Sequence, residues 1–277
     1  MHKRRGRKSP RAKNVSTAIL LAGWCFSATP ALGFTDLTPP TEQAFNRYIT
    51  LAEAKMTQSL HSDRFLVSAA SPEGKAKLHS GERPIMPSKT LDSGNEIKVP
   101  DGLIQDWLGA MFIPNTTIAK VRTVMTAYSE YHKLFAPEIV ESKILAHEGD
   151  HYQVFLRLYK KQILTVVLNT SYDIVYRAPD RSRLAIDSRS TRIAEVRAPK
   201  QSYTYEYPPG QDTGFLWRLN SYWRFEEGDG GVYAECEAIS LSRDVPFGLF
   251  MIRKFVERFP RESMLNTLEG VRRAVSK

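Results

Sequence analysis

The sequence predicts an α+β fold in which a curved antiparallel sheet wraps around one long helix near the C terminus, with a helical and irregular extension ahead of it. Three observations predict this. Six stretches between residues 140 and 241 alternate or run apolar and are separated by Gly, Asp and Pro turns. A strand stopped by a proline and a helix precede them, and a long amphipathic stretch follows. A meander with one apolar face must bury that face, and the last helix is the element available to cover it.

Taken in chain order, the first 33 residues read as an export signal. Lys3, Arg4, Arg5, Arg7, Lys8, Arg11 and Lys13 form a basic region, Val15 to Phe26 an apolar core of signal length, and Ala31-Leu32-Gly33 a small-residue cleavage site. A spanning helix needs about 20 mostly apolar residues, more than this segment offers. Trp24 stands where a lipoprotein attachment site has a small residue, so Cys25 is not read as a lipid anchor. The expected location is the periplasm or the medium.

Removing that segment changes the charge balance. The chain holds 39 basic and 30 acidic residues, a net of +9; the signal carries seven of the basic ones and no acidic one, leaving 32 against 30, or +2. Nucleic-acid binding needs clustered cations to neutralise phosphates, and most of the apparent basicity belongs to the signal. Cys236 is the one cysteine left after cleavage, so an internal disulfide is excluded and a core must hold the fold.

Residues 34–100 read as an extension. Thr41 is the expected cap of a helix carrying Phe45, Tyr48, Ile49, Ala52 and Met56 on near-helical spacing, and Ser71 to Pro100 reads as a long irregular connection. A protein partner is one use such an extension could have.

Leu103 to Ile113 reads as a strand, stopped by Pro114, and Asn115 or Thr116 caps a helix running to Leu134. Strands are expected at 140–146, 152–159, 163–176, 183–196, 215–225 and 232–241, with a helical region at 246–275. In the fifth of these Phe215, Trp217, Leu219, Trp223 and Phe225 share a face by the period of two. In the sixth, Val232, Ala234, Cys236, Ala238 and Ser240 do so, and they are small. Large aromatics beside a row of small residues leave room that a helix or a ligand must fill. Pro260 suits a kink or restart in the last helix, after which Met264, Leu265, Leu268, Val271 and Val275 form its apolar face.

This order is the helix-grip arrangement. Residues 103–277 resemble the START-like (SRPBCC) superfamily, which includes the birch-pollen allergen group and polyketide cyclases. The resemblance is carried by MFIPNTTIAKVRTVMTAYSEYHKLFAPEIVESKIL at 111–145, STRIAEV at 190–196, WRLNSYWRFEE and GVYAECEAIS within 217–240, and PRESMLNTLEGVRRAV at 260–275. It implies a deep, mostly apolar cavity between sheet and last helix that binds a lipid, isoprenoid or polyketide-like molecule. Most members of the superfamily are binders, and a minority are cyclases or hydrolases.

Candidate ligand-binding residues are Tyr172, Tyr176, Trp217 and Trp223 on the strands and Met264 and Leu268 on the helix. Aromatic stripes on strands are more often plain core, which is the competing reading. Arg192 is a further candidate: if Leu184, Ile186 and Ser190 face inward, the period of two puts Arg192 with them, where a ligand headgroup could pair with it. The alternatives are a salt bridge within the protein or a bulge that turns it outward. Glu235 and Glu237, opposite Cys236 in facing, read as solvated.

His147-Glu148-Gly149-Asp150-His151 spells HExxH, which binds zinc when a helix puts both imidazoles on one face. Alternating strands flank it and Glu-Gly-Asp is turn chemistry, so it reads as a hairpin tip, and no metal or cofactor is expected. No Ser, His and acid assemble into a catalytic set. The expectation is an exported binder of a hydrophobic ligand; a cyclase- or hydrolase-type enzyme using the same cavity and an interaction module are the alternatives.

Overall fold

Long strands with residues buried on both faces dominate the molecule. The structure, a computed structural model, describes residues 37–161, 165–197, 205–244 and 250–277, the side chains at 161 and 250–259 excepted. The expected signal at 1–33 and the expected first turn of the last helix at 246–249 lie outside the described residues. Eight strands form one antiparallel sheet: β1 (Ile85–Pro87), β4 (Gly102–Pro114), β5 (Ile139–Glu148), β6 (His151–Lys161), β7 (Thr165–Asp180), β8 (Arg183–Glu195), β9 (Arg218–Gly228) and β10 (Gly231–Arg243). Their order across the sheet is β1-β4-β10-β9-β8-β7-β6-β5. The meander from β5 to β10 thus returns to the first long strand, with β10 paired to β4 from Gly231 opposite Pro114 to Arg243 opposite Gly102. The short β2 (Leu91–Asp92) and β3 (Asn95–Glu96) form a separate hairpin.

The sheet curves around α5 (Phe250–Val275), giving the helix-grip fold. α5 runs through Pro260 as one helix, without a restart. Met264, Leu268, Val271, Ala274 and Val275 are buried, whereas Leu265 is exposed. Leu265 follows Met264 by one residue, about 100° around the axis, and so leaves the stripe that the i+3 and i+4 positions hold. Two glycines let α5 come close. A Cβ on Gly109 of β4 would lie 2.7 Å from Met264 Cγ and 3.1 Å from Leu268 Cδ1, and one on Gly270 would lie 2.9 Å from Phe135.

The first helix after β4 is broken where the sequence suggested continuity. α3 (Ile118–Thr126), capped by the Thr117 side chain, gives way to a 3-10 turn at Tyr128–Glu130 and then to α4 (Tyr131–Leu134). The Met125 carbonyl accepts hydrogen bonds from the Tyr131 and Tyr176 hydroxyls, at 2.7 Å each. These tie the break to β7. Met111, Ile113, Val121, Tyr128, Leu184, Phe225 and Val275 belong to the core at this closed end.

The extension is built into the fold, on the face of the sheet turned away from α5. α1 (Pro39–Ser59) is capped by Thr38 rather than Thr41, because Pro39 and Pro40 occupy its first turn. Thr41 is buried and donates to the Pro100 carbonyl at 2.7 Å. Phe45, Tyr48, Ile49 and Ala52 of α1 pack on Trp217, Tyr222, Ile239 and Leu241. The stretch read as irregular holds α2 (Pro72–His79), capped by the Ser71 side chain. Leu60, Phe65, Leu66, Ala69 and Leu78 pack on Ala110, Ala185 and Tyr233 of the sheet. Both faces of β10 are therefore covered, which explains its nearly unbroken burial.

Candidate functional site

The register of the central strands dictates what lies between sheet and α5. On β10 the inward residues Ala234, Cys236, Ala238 and Ser240 stand opposite Phe225, Trp223, Ser221 and Leu219 of β9. Trp223 in turn stands opposite Ile186, and Ser221 opposite Ser188, on β8. Aromatics therefore fill the closed end, and small residues follow toward the other end. The space they leave is a cavity of about 290 Å³. Its walls come from Trp107, Leu156, Leu158, Tyr172, Ile174 and Trp223 of the sheet, Tyr128, Tyr131 and Phe135 around α4, and Met264 and Val271 of α5. A mostly apolar cavity near 300 Å³ falls at the small end of ligand pockets, in the range that encloses one small hydrophobic molecule.

Of the residues singled out from sequence, Tyr172, Trp223 and Met264 line this cavity. Tyr176 sits behind the wall, its hydroxyl 2.6 Å from that of Tyr128. Leu268 packs into the core against β4 at Gly109. Trp217 is on the opposite face, in the cluster under α1. The reason is local: β9 begins at Arg218, so residues 215–217 precede the strand and escape its alternation. The cavity instead receives Phe215, Leu216 and Leu219 from this segment.

Arg192 does not reach the cavity. Ser190 pairs with the inward Tyr172 but Arg192 pairs with Ser171, so a bulge at Thr191 reverses the facing. Arg192 lies on the outer surface with its side chain 54% exposed, in an ion pair with Glu206. That pairing raises the guanidinium's pKa and, from the other side, lowers that of the Glu206 carboxyl.

Trp107, Leu156, Ser188, Ser221 and Ser242 line the cavity without having been singled out. Trp107 was legible in principle, as it shares the facing of Gly109 and Met111 on β4, but the pairing of β4 with β10 was needed to bring it over the row of small residues. Cys236 is also on the wall; burial pushes its thiol well above the usual range, which keeps it protonated.

The reading of Glu235 and Glu237 as solvated is corrected. Glu235 is 5% exposed and accepts from the backbone N–H groups of Val67 at 3.1 Å and Ser68 at 2.7 Å, because the extension covers it. Glu237 accepts from Ser88 Oγ at 3.2 Å and faces Asp106, which accepts from the Tyr48 hydroxyl at 2.8 Å. Burial raises the pKa of both acids, Glu237 to about 8 with the nearby Asp106 charge adding to the effect. Close by, the buried Arg224 and Asp187 pair at 3.1 Å. Burial lowers the Arg224 pKa against the pull of Glu235 and Glu237. The three carboxylates Glu235, Glu237 and Asp106 tie the extension to the sheet, the Arg224–Asp187 pair joins β9 to β8, and all of them face away from the cavity.

The HExxH segment is the β5–β6 hairpin tip, with Glu148 opposite His151 and Gly149 at φ +55°. His147 stacks on Tyr152 with ring centroids 3.9 Å apart, and His151 Nε2 lies 2.5 Å from Asp173 Oδ1. The two imidazoles are thus engaged with different partners. Among the described residues no three metal-ligating side chains cluster. No described helix is long and apolar enough to cross a membrane.

No protein-family model matches the chain. No curated protein matches it in sequence. Among solved structures, it is similar to a STAR-related lipid transfer protein fragment from Xanthomonas axonopodis, at 14% identity over 70% of this chain and 99% of that one, with a TM-score of 0.43. It is also similar to the Zhui aromatase/cyclase from a Streptomyces species, at 12% identity over 63% of this chain and 94% of that one, TM-score 0.45. A START superfamily protein from Mycobacterium smegmatis gives 11% identity over 63% and 97%, TM-score 0.37. At these identities and scores the likenesses carry no argument about function, and the functional reading rests on the cavity.

Proposed function

We propose that the protein binds a small hydrophobic molecule, of lipid, isoprenoid or polyketide-like character, in the cavity between the sheet and α5. The observation that carries this is the mostly apolar cavity of about 290 Å³ between the sheet and α5. Protein interiors are filled at close to crystal density, and a void of this size forfeits the dispersion contacts that a bound molecule would restore. The wall offers orientation as well as burial, since serines alternate with the apolar residues at one end. Cys236, the thiol on the wall, is held in its unreactive protonated form, which favours binding over covalent chemistry there. The basic and apolar character of residues 1–33 supports export, and N-terminal sequencing of protein recovered from the producing cells tests it.

Native mass spectrometry of protein purified without detergent, followed by organic extraction, tests the binding. An adduct that survives in the intact spectrum and is recovered by extraction supports the reading. A chain of unmodified mass that also fails to take up neutral hydrophobic probes contradicts it. The enzyme alternative requires turnover of such a molecule, abolished by a cavity substitution that leaves the fold intact.

A further inference from the structure

At the end of the cavity bounded by β4, β10 and β9 the wall changes character. Ser240 and Ser242 follow Ala238 on the inward face of β10, and Gln105 of β4 stands opposite Ser240. Ser240 Oγ reaches the Gln105 carbonyl at 3.5 Å. Ser242 is different. It is 6% exposed and lines the cavity, and its hydroxyl has no hydrogen-bond partner among the described residues. A buried hydroxyl without a partner is costly, and a partner of about 90% of such groups is found in the fold itself. Ser221 and Ser188, directly opposite each other on β9 and β8, continue the hydroxyl row.

The charge at this end is as informative as the hydroxyls. Among the described residues, the charged side chains that line the cavity are Glu138, Lys160 and Arg273, from the start of β5, from β6 and from α5. No charged lining residue comes from β4, β10, β9 or β8. Lys160 is on β6, four strands across the sheet from β10. A carboxylate or phosphate placed at Ser242 would therefore be desolvated beside hydroxyls and apolar side chains, with no cation from these four strands to meet it.

We infer that this end of the cavity is a neutral polar subsite, in which Ser242, with Ser240 and Gln105 beside it, hydrogen-bonds an uncharged oxygen of an otherwise apolar ligand, an alcohol or a carbonyl. This rests on the cavity being a ligand site. A serine hydroxyl both donates and accepts, so it serves either oxygen. The apolar body of the ligand then lies along Trp107, Trp223 and Met264.

The test uses three ring-matched probes, naphthalene, 2-naphthol and 2-naphthoate, titrated calorimetrically into the wild type and Ser242→Ala. The expected result is 2-naphthol binding about fivefold more tightly than naphthalene in the wild type, with the difference lost in Ser242→Ala and naphthalene affinity unchanged. The apo variant should melt at or above the wild-type temperature, because no hydrogen bond within the protein is lost. Equal affinities for naphthalene and 2-naphthol in the wild type would overturn the subsite while leaving the cavity reading in place, the hydroxyl then being met by water only. So would tightest binding of 2-naphthoate with no effect of Ser242→Ala, or a variant that melts several degrees lower, which would make the hydroxyl structural. Failure of all three probes to bind would sink the cavity reading and the subsite together.

Discussion

The two faces of β9 and β10 were built from alternate residues of the same strands, yet they solve opposite problems. Toward α5, Ala234, Cys236, Ala238 and Ser240 face Trp223, Ser221 and Leu219, and space remains. On the other face Tyr222, Arg224, Tyr233, Glu235 and Ile239 are buried under the extension, with Tyr222 and Glu235 bonded across the interface and Arg224 to Asp187 within the sheet. The difference shows what burial alone does not distinguish. One face is covered by a segment whose side chains fit it, and the other by a helix that leaves a gap large enough for a ligand. The charges that would suggest catalysis are on the filled face, and the face with room is nearly uncharged.

The largest expected effect breaks the cover on the cavity side. Leu268→Asp removes a fully buried contact with β4 and puts a carboxylate in the core, so it should destabilise by more than about 4 kcal/mol and leave no cooperative unfolding transition by circular dichroism. On the other face, Tyr48→Phe removes the hydroxyl that joins the Thr90 N–H, at 2.7 Å, to Asp106. A loss of about 1–3 kcal/mol in chemical denaturation is expected, because both partners are left buried and unpaired.

The acid pair beneath the extension gives that face a pH dependence. The Glu237 pKa is raised from an ordinary 4.5 to about 8 in the folded protein, so between these values the folded state holds a proton that the unfolded state has released. Stability should therefore fall as pH rises through this window and level off above it. Asp106, also raised by burial, adds to the trend; Tyr48, Lys55, Ser88 and Arg224 are the groups that face the pair. Glu237→Gln should flatten the loss in melting temperature between pH 5.5 and 8.5, and an unchanged slope would show that the pair is not what holds the proton. The smallest effect belongs to Arg192→Ala, on the outer surface: less than about 0.5 kcal/mol, with ligand affinity unchanged in titration.

The alternation of β9 and β10 was enough to foresee room on one face, because small residues at every second position say so without knowledge of the neighbours. It was not enough to assign Arg192 or Trp217. A bulge at Thr191 and the late start of β9 at Arg218 each shift parity, and neither leaves a mark in the residue pattern. The extension was harder still. Glu235 and Glu237 read as solvated because outward carboxylates usually are. Only the packing of Leu60, Phe65 and Leu78, with Val67 and Ser68 beside them bonding Glu235 from 168 and 167 residues away in sequence, turns their face into an interior. Sequence periodicity reports which side of a strand a residue takes, and not what comes to cover it.

The contrast between the faces is tested most directly by making the same substitution on each. Ala238 lines the cavity from β10, and Ala185 of β8 is buried under the extension. Ala238→Trp should fold with a melting temperature close to wild type while losing uptake of the neutral dye N-phenyl-1-naphthylamine by about tenfold or more, since the indole takes the ligand's place. Ala185→Trp should lose about 1–3 kcal/mol, a fall of several degrees, because it overpacks a filled interface, and its dye uptake should persist. If Ala238→Trp unfolded as readily as Ala185→Trp, or folded and still took up the dye, the space beneath α5 would not be a ligand site.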